Sequence, residues 1–290
     1  MKLIDKDNKI FKSNDYVNDK LLFAIFEKKI NDANAKIMSD EENYIITNES
    51  EERAPWIWTK DNFDRSKLKE IEELIRLYLI KDKMTFTCKK ELYNALLEDN
   101  FELIDRTDYF EMGFMKCTKL KDTKQNDGRL DKAKKEEREL IANYIYEFDN
   151  FMDESVRSNR PTTEEELKQY YLEEADKEID SDEFFVLRNA QDKIVCMAHY
   201  KTSTDGTAKL GLAYTPVEER GKGYAAKIVH DITGILLNKG FIPVLYTDQN
   251  YPNSNKAYYN AGYENGGTLV NFSCNKRLVK EETRGISKWL

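Results

Sequence analysis

Apolar positions along the second half of the chain change period repeatedly, and each change marks an element. Leu140, Tyr144, Ile145, Phe148 and Phe151 fall at helical spacing. Thr163 with Glu166 forms a capping-box pair that opens another helix, running to Asp176. Residues 184–188 and 193–200 are predicted as paired strands, with 210–214 as the next. Ala225, Ile228, Val229, Ile232, Ile235 and Leu236 then make one buried stripe of an amphipathic helix. Lys239 and Gly240 close it with a basic last turn and a glycine stop. A short apolar strand over 242–246 follows, so the order is strand, turn, helix, strand.

The first half has no glycine before Gly113, yet it alternates in the same way. Helices are predicted over 21–30, 68–80 and 91–97, and strands over 44–47, 56–58, 84–87 and 110–117. TFT at 85–87 followed by KELYNA at 90–95 is similar to LYT at 245–247 followed by KAYYNA at 256–261. This internal likeness suggests a tandem arrangement; chance similarity among short α/β elements is the alternative. The charged span 119–138, with QNDG at 125–128, is the expected linker. Domains are accordingly expected over 1–120 and 130–290.

The turn at 215–226, TPVEERGKGYAA, carries the chemistry. Gly221 and Gly223 stand where the predicted strand meets the predicted helix, and without side chains their backbone N–H groups can close around an anion. Arg220 and Lys222 add positive charge beside them. A Walker loop is excluded, because it needs two glycines separated by four residues and followed by Lys and Ser or Thr. A Rossmann fingerprint is nearer, since GKGYAA at 221–226 fits G-x-G-x-x-G/A and Asp248 ends the next strand. However, Pro216 to Arg220 separate the strand from the first glycine, and too little chain follows for a doubly wound sheet.

EERGKG at 218–223 resembles the Gln/Arg-x-x-Gly-x-Gly/Ala signature of the GNAT N-acetyltransferase superfamily, with Glu218 in place of the usual Gln or Arg. YTDQNYPNSNKAYYNAGY at 246–263 is similar to that family's strand, Asn/Ser-rich turn, short helix and Gly-aromatic ending. The resemblance spans residues 130–290 and implies an α/β (α+β) fold: a mixed, mostly antiparallel sheet flanked by helices. The N-terminal half would then be a degenerate GNAT-like α/β domain, with no glycine loop before its 68–80 helix and no coenzyme bound there. By the same matching the co-substrate is acetyl-CoA, and the helices over 140–151 and 163–176 shape the acceptor cleft. Tyr214, Thr215, Val217, Arg220, Gly221, Lys222, Gly223, Tyr224, Ala225, Ser254 and Asn255 would line the coenzyme. Tyr258, four residues before Gly262, takes the place of the proton-donating tyrosine; packing within a Tyr-rich helix is the plain alternative.

Acetyl transfer to an amine also needs a base. The 208–214 strand carries no carboxylate, whereas His199 on the preceding strand has a near-neutral intrinsic pKa and is the candidate, directly or through water. A satisfied core or edge histidine is the competing role, and His230 is read as structural. Glu173 and Glu174 read as a solvated acidic face. The acceptor is expected to be a small primary amine, with a protein amine as the alternative. A noncatalytic acyl-CoA-binding or sensing module is the rival from another class. A Fem-type aminoacyl transferase, which also pairs two GNAT-like halves, is disfavoured by the intact coenzyme loop.

Composition narrows the partners. A net charge of −8 disfavours nonspecific nucleic-acid binding, and no motif supports a metal. The start of the sequence lacks an apolar core of signal-peptide type, and no run reaches membrane-spanning length, so a cytoplasmic protein is expected. Cys88, Cys117, Cys196 and Cys274 are isolated within apolar stretches and are expected to be buried free thiols.

Overall fold

Patterning in the first half produces β1 (Lys2–Leu3), α1 (Asn14–Asp19), α2 (Ala24–Ile30), β2 (Lys36–Ser39), β3 (Tyr44–Asn48) and β4 (Trp56–Thr59). After these come α3 (Leu68–Tyr78), β5 (Lys83–Lys89), α4 (Lys90–Glu98) and β6 (Ile104–Lys116). The computed structural model describes residues 2–48, 54–79, 81–122, 126–151, 160–203 and 206–278. Contacts divide the chain into unit 1, made of Met1–Phe114, Asp248–Asn250 and Gly266–Leu290, and unit 2, made of Met115–Thr247 and Tyr251–Asn265. The expected span 130–290 therefore contributes residues to both units, with Asp248–Asn250 and the residues from Gly266 on in unit 1.

In unit 1 the strands β1 to β4 pair antiparallel in sequence order. The crossover through α3 makes β5 parallel to β4, with Trp56 opposite Thr87. Leu68, Ile71, Leu74, Ile75 and Tyr78 recur at helical spacing on α3 and are all buried. They meet Tyr44, Ile46, Ile57 and Phe86 from the sheet in one core. The predicted 21–30 helix is shorter than expected, because Phe23 precedes α2 and a separate helix, α1, comes before it. Ile80 of the predicted 68–80 helix lies outside the described residues.

Unit 2 holds β7 (Arg129–Asp131), α5 (Arg138–Phe151), α6 (Glu164–Ile179), β8 (Phe184–Arg188), β9 (Ile194–Thr202) and β10 (Thr207–Tyr214). It continues with α7 (Tyr224–Asn238), β11 (Ile242–Asp248), α8 (Pro252–Ala261) and the start of β12 (Glu264–Asn275). Strand order is β11-β10-β9-β8-β7, antiparallel except that α7 makes β11 parallel to β10. Helices cover both faces. Ile141, Tyr144 and Ile145 of α5 and Tyr171 and Ala175 of α6 pack on Phe184, Val186, Met197 and Tyr214. On the other face Ile228, Val229, Ile232 and Leu236 of α7 pack with Cys196, Ala198, Leu210, Leu245 and Tyr263. Each such side chain contributes about 2 kcal/mol when fully buried, so Ile232→Asp would break this layer.

The expected linker is partly ordered structure. Leu130 is flanked by charged residues and shows no period, but Arg129–Asp131 pair with β8 as β7; Gln125 lies outside the described residues. From Leu269 to Asn275, β12 pairs antiparallel with β5 and so completes unit 1.

Candidate active site

The site begins where two parallel strands part. β10 and β11 keep register through Thr207–Ile242, Ala208–Pro243 and Lys209–Val244. β10 then continues to Tyr214 through a register shift against β9 between Gly211 and Tyr214, with Leu212 at φ 48. A left-handed Leu within a strand marks a bulge, which frees backbone groups from the ladder and bends the strand. Beyond Lys209 and Val244 no further pair joins β10 to β11 among the described residues.

The glycine turn follows β10 directly. Pro216 starts a short 3-10 turn over Val217–Glu219, and Gly223 is the N-cap of α7. Gly221 and Gly223 take φ of 79° and 84°, the left-handed region in which other residues are strained. No side chain caps α7 and no acidic residue occupies its first turn. Its first N–H groups and the positive end of its dipole thus remain available to an anion. A Cβ at position 221 would meet nothing within 4 Å, so the turn is open on that side.

The charges around this turn are more balanced than the sequence implied. Glu219 is buried and accepts from both Lys222, at 2.7 Å, and Lys193, at 2.9 Å. Hydrogen bonds from Lys222 and then Lys193 hold its carboxyl below the usual range. Glu218 lies 3.7 Å from Lys193. Arg220 Nε donates to the Thr215 carbonyl at 3.0 Å, and Val217 is exposed beside it. Sequence reasoning did not find Glu219, because a carboxylate inside a basic motif reads as surface. It also missed Asn126 and Asp127: Asn126 Nδ2 donates to the Lys222 carbonyl and Tyr224 Oη donates to Asp127.

Residues expected along the coenzyme fall on these same elements. Tyr214 is buried, and its Oη donates to Glu147 Oε2 of α5 at 2.5 Å. Burial, then that carboxylate, raises its phenol pKa. Thr215 Oγ1 donates to the buried Cys196 Sγ at 3.2 Å. Tyr224 is buried and Ala225 half-buried in the first turn of α7. Ser254, exposed, and Asn255, half-buried, lie in the first turn of α8.

Tyr258 of α8 packs, half-buried, against the α7 face of the sheet, its ring 6.1 Å from that of Tyr263. Burial, reinforced by Cys196, pushes its phenol up to about 12. His199 sits on the opposite face: Met197, two residues earlier on β9, belongs to the α5/α6 core. His199 Nδ1 lies 2.9 Å from Glu178 Oε1 of α6. Its Nε2 lies against β10 at Gly211, where an added Cβ would come within 2.8 Å of it. Tyr258 and His199 thus lie on opposite faces of the unit 2 sheet, and only His199 is seen against β10. His230, half-buried on α7, pairs with its neighbour Asp231, at 3.4 Å. Glu173 is exposed and accepts from Gln169, and Glu174 pairs with Lys177. The four cysteines are buried and free.

No family model matches the sequence, and no curated protein is significantly similar to it. Solved structures do match. A GNAT-family acetyltransferase from Colwellia psychrerythraea superposes with a TM-score of 0.56 at 14% identity, over 94% of this chain and 99% of that one. A GCN5-related N-acetyltransferase from Kribbella flavida gives 0.55 at 12%, over 89% and 95%. Another from Sphaerobacter thermophilus gives 0.52 at 12%, over 82% of each chain. At such identities the likeness speaks for the backbone alone. The four antiparallel strands, crossover helix, diverging parallel strand and glycine turn belong to the GNAT fold, and that is the fold of this chain.

Proposed function

We propose that the chain is an acetyl-CoA-dependent N-acetyltransferase that moves an acetyl group to a primary amine by direct attack in a ternary complex. One observation carries this reading: the N-terminus of α7, with no side-chain cap and with left-handed Gly221 and Gly223, follows β10, whose pairing with β11 among the described residues stops at Lys209. The first-turn N–H groups of α7 suit a pyrophosphate, and the part of β10 beyond Lys209 suits a pantetheine arm. Backbone N–H groups freed by the bulge at Gly211–Tyr214 suit the thioester carbonyl.

In this mechanism His199 Nε2 takes one proton from the substrate ammonium and passes it to solvent. The neutral nitrogen attacks the thioester carbon, forming the C–N bond, and the C–S bond breaks. Sulfur leaves with the phenolic proton of Tyr258. The second proton, shed as nitrogen becomes an amide, restores the phenol. In solution, phenol at about 10 and thiol at about 8.5 make the sulfur step uphill. Burial changes both sides of that comparison. It pushes the buried thiol of Cys196 up to about 12, level with the phenol of Tyr258. A thiolate released in the same surroundings meets the same desolvation, which brings the transfer closer to balance.

Isothermal titration with acetyl-CoA, with NAD as control, tests the donor site; an amine screen of the binding-competent protein then tests transfer. Saturable acetyl-CoA binding followed by thiol release with an amine supports the proposal. Binding without turnover on any amine would instead favour a noncatalytic acyl-CoA sensor. Binding of NAD alone would overturn both.

A further inference from the structure

We propose that Glu178 is the positioning residue of this active site: it holds His199 in the tautomer whose Nε2 faces the β10 bulge unprotonated. The proposal rests on the reading above in which His199 is the base. Its foundation is a relay across three elements. Glu178, near the end of α6, meets His199 Nδ1 at 2.9 Å, and His199 of β9 presses Nε2 against β10 at Gly211.

Chemistry decides the tautomer. Burial alone would raise the Glu178 carboxyl, but the hydrogen bond and charge of His199, with a smaller contribution from Lys201, hold it below the usual carboxylate range. Glu178 is therefore an acceptor at neutral pH, so the hydrogen bond needs the proton on Nδ1. A neutral imidazole then carries its lone pair on Nε2. The same carboxylate stabilises the imidazolium formed once Nε2 takes a proton. Among the described residues Glu178 Oε2 is buried with no hydrogen-bond partner, so the carboxylate acts through Oε1. Lys201, two residues further along β9, pairs at 3.9 Å with Glu183.

Gly211 is the third member. A side chain there would collide with Nε2, so glycine lets the imidazole lie against the strand. The glycine stands next to Leu212 at φ 48, in the segment where β10 leaves its register. The lone pair is thereby brought to the bulged segment whose backbone would hold the acyl carbonyl.

Only two histidines occur in the chain, so His230→Gln leaves a single imidazole whose tautomer is read by long-range 1H–15N correlation. In its neutral form, His199 is expected to show the Nδ1–H tautomer, and Glu178→Gln, whose amide can donate to Nδ1, is expected to favour Nε2–H. An Nε2–H tautomer in the unsubstituted site would overturn the proposal whether or not an amine substrate is known. With an amine in hand, Glu178→Gln is expected to lower kcat roughly tenfold or more, the scale of lost general-base catalysis. The Kd for acetyl-CoA should stay within about twofold, and Glu178→Asp should recover part of the rate. Full kcat in Glu178→Gln would sink the positioning role while His199→Ala remains inactive. Full kcat in His199→Ala would sink the base reading itself.

Discussion

Gly221, Gly223 and Tyr258 show how far single residues could be read from sequence. The glycines announce themselves by spacing, yet the reason for each is visible only in the backbone. An added Cβ at Gly221 meets nothing, so its cost lies in the left-handed φ of 79° and not in crowding. Gly221→Val is expected to turn the loop away from that conformation and weaken acetyl-CoA binding by about tenfold or more, on a strain of about 1–3 kcal/mol. Calorimetry measures this directly, and unchanged affinity would place the pyrophosphate elsewhere. Tyr258→Phe should lower kcat by about tenfold or more with little change in acetyl-CoA affinity. Undiminished turnover would remove Tyr258 from the mechanism. Its phenol is raised to about 12, so the donating form persists below that value and is lost only as pH climbs through it. The alkaline side of the kcat profile should accordingly stay level to about pH 10.5; a fall near pH 10 that vanishes in Tyr258→Phe would contradict this. Glu178 and Glu219 escaped the sequence because their partners lie on other elements.

Elements with a full period were legible, and those without one were not. The strand over 184–188 is β8 as predicted, and Thr163 caps α6 as the capping box implied. β2 and β7 are too short to show alternation, and β12 begins with the polar run Glu264-Asn-Gly-Gly267. The bulge in β10 was hidden because Leu212 takes a conformation foreign to its residue type. Arg188 of β8 explains why so short a strand as β7 holds. Its guanidinium is buried, donates to both Glu137 oxygens at 2.7 and 2.8 Å, and reaches Asp131 at 3.0 Å. Burial pushes both carboxyls up, but hydrogen bonds, those from Arg188 among them, outweigh it and hold them below their usual values. Because their folded pKa values are depressed, this latch contributes fully above the usual carboxylate range, and its contribution is lost as pH falls through the folded values. Arg188→Met should destabilise by about 3–5 kcal/mol at neutral pH, because Glu137 loses its buried guanidinium and Asp131 keeps only Arg129 as a cationic partner among the described residues. Urea midpoints of variant and parent, compared at pH 7 and at a pH below the folded carboxyl values, should converge at the lower pH. A parallel offset at both pH values would assign the loss to packing.

At the scale of the whole molecule, sequence reasoning recovered the kind of fold but not where the chain's last strand goes. The likeness between KELYNA and KAYYNA falls on α4 and α8, each of which follows a strand parallel to its predecessor. What no periodicity encodes is that Val270, Phe272 and Cys274 enter the core of unit 1 beside Phe86 and Leu92. A chain stopped after Asn265 should therefore lose protection in β5, where amide exchange should rise while the amides of α7 stay protected. Losing Phe272 alone is worth about 3–5 kcal/mol, a large share of the roughly 5–15 kcal/mol that holds a domain. Slow exchange in β5 of that truncated chain would show that unit 1 closes without β12. The same pairing sets an order of events during synthesis. β5 leaves the ribosome well before its neighbour β12 is translated, so its open edge must wait while unit 2 is made. A nascent chain in that interval carries an unpaired, apolar strand edge, the kind of surface that chaperones bind and that misfolding exploits.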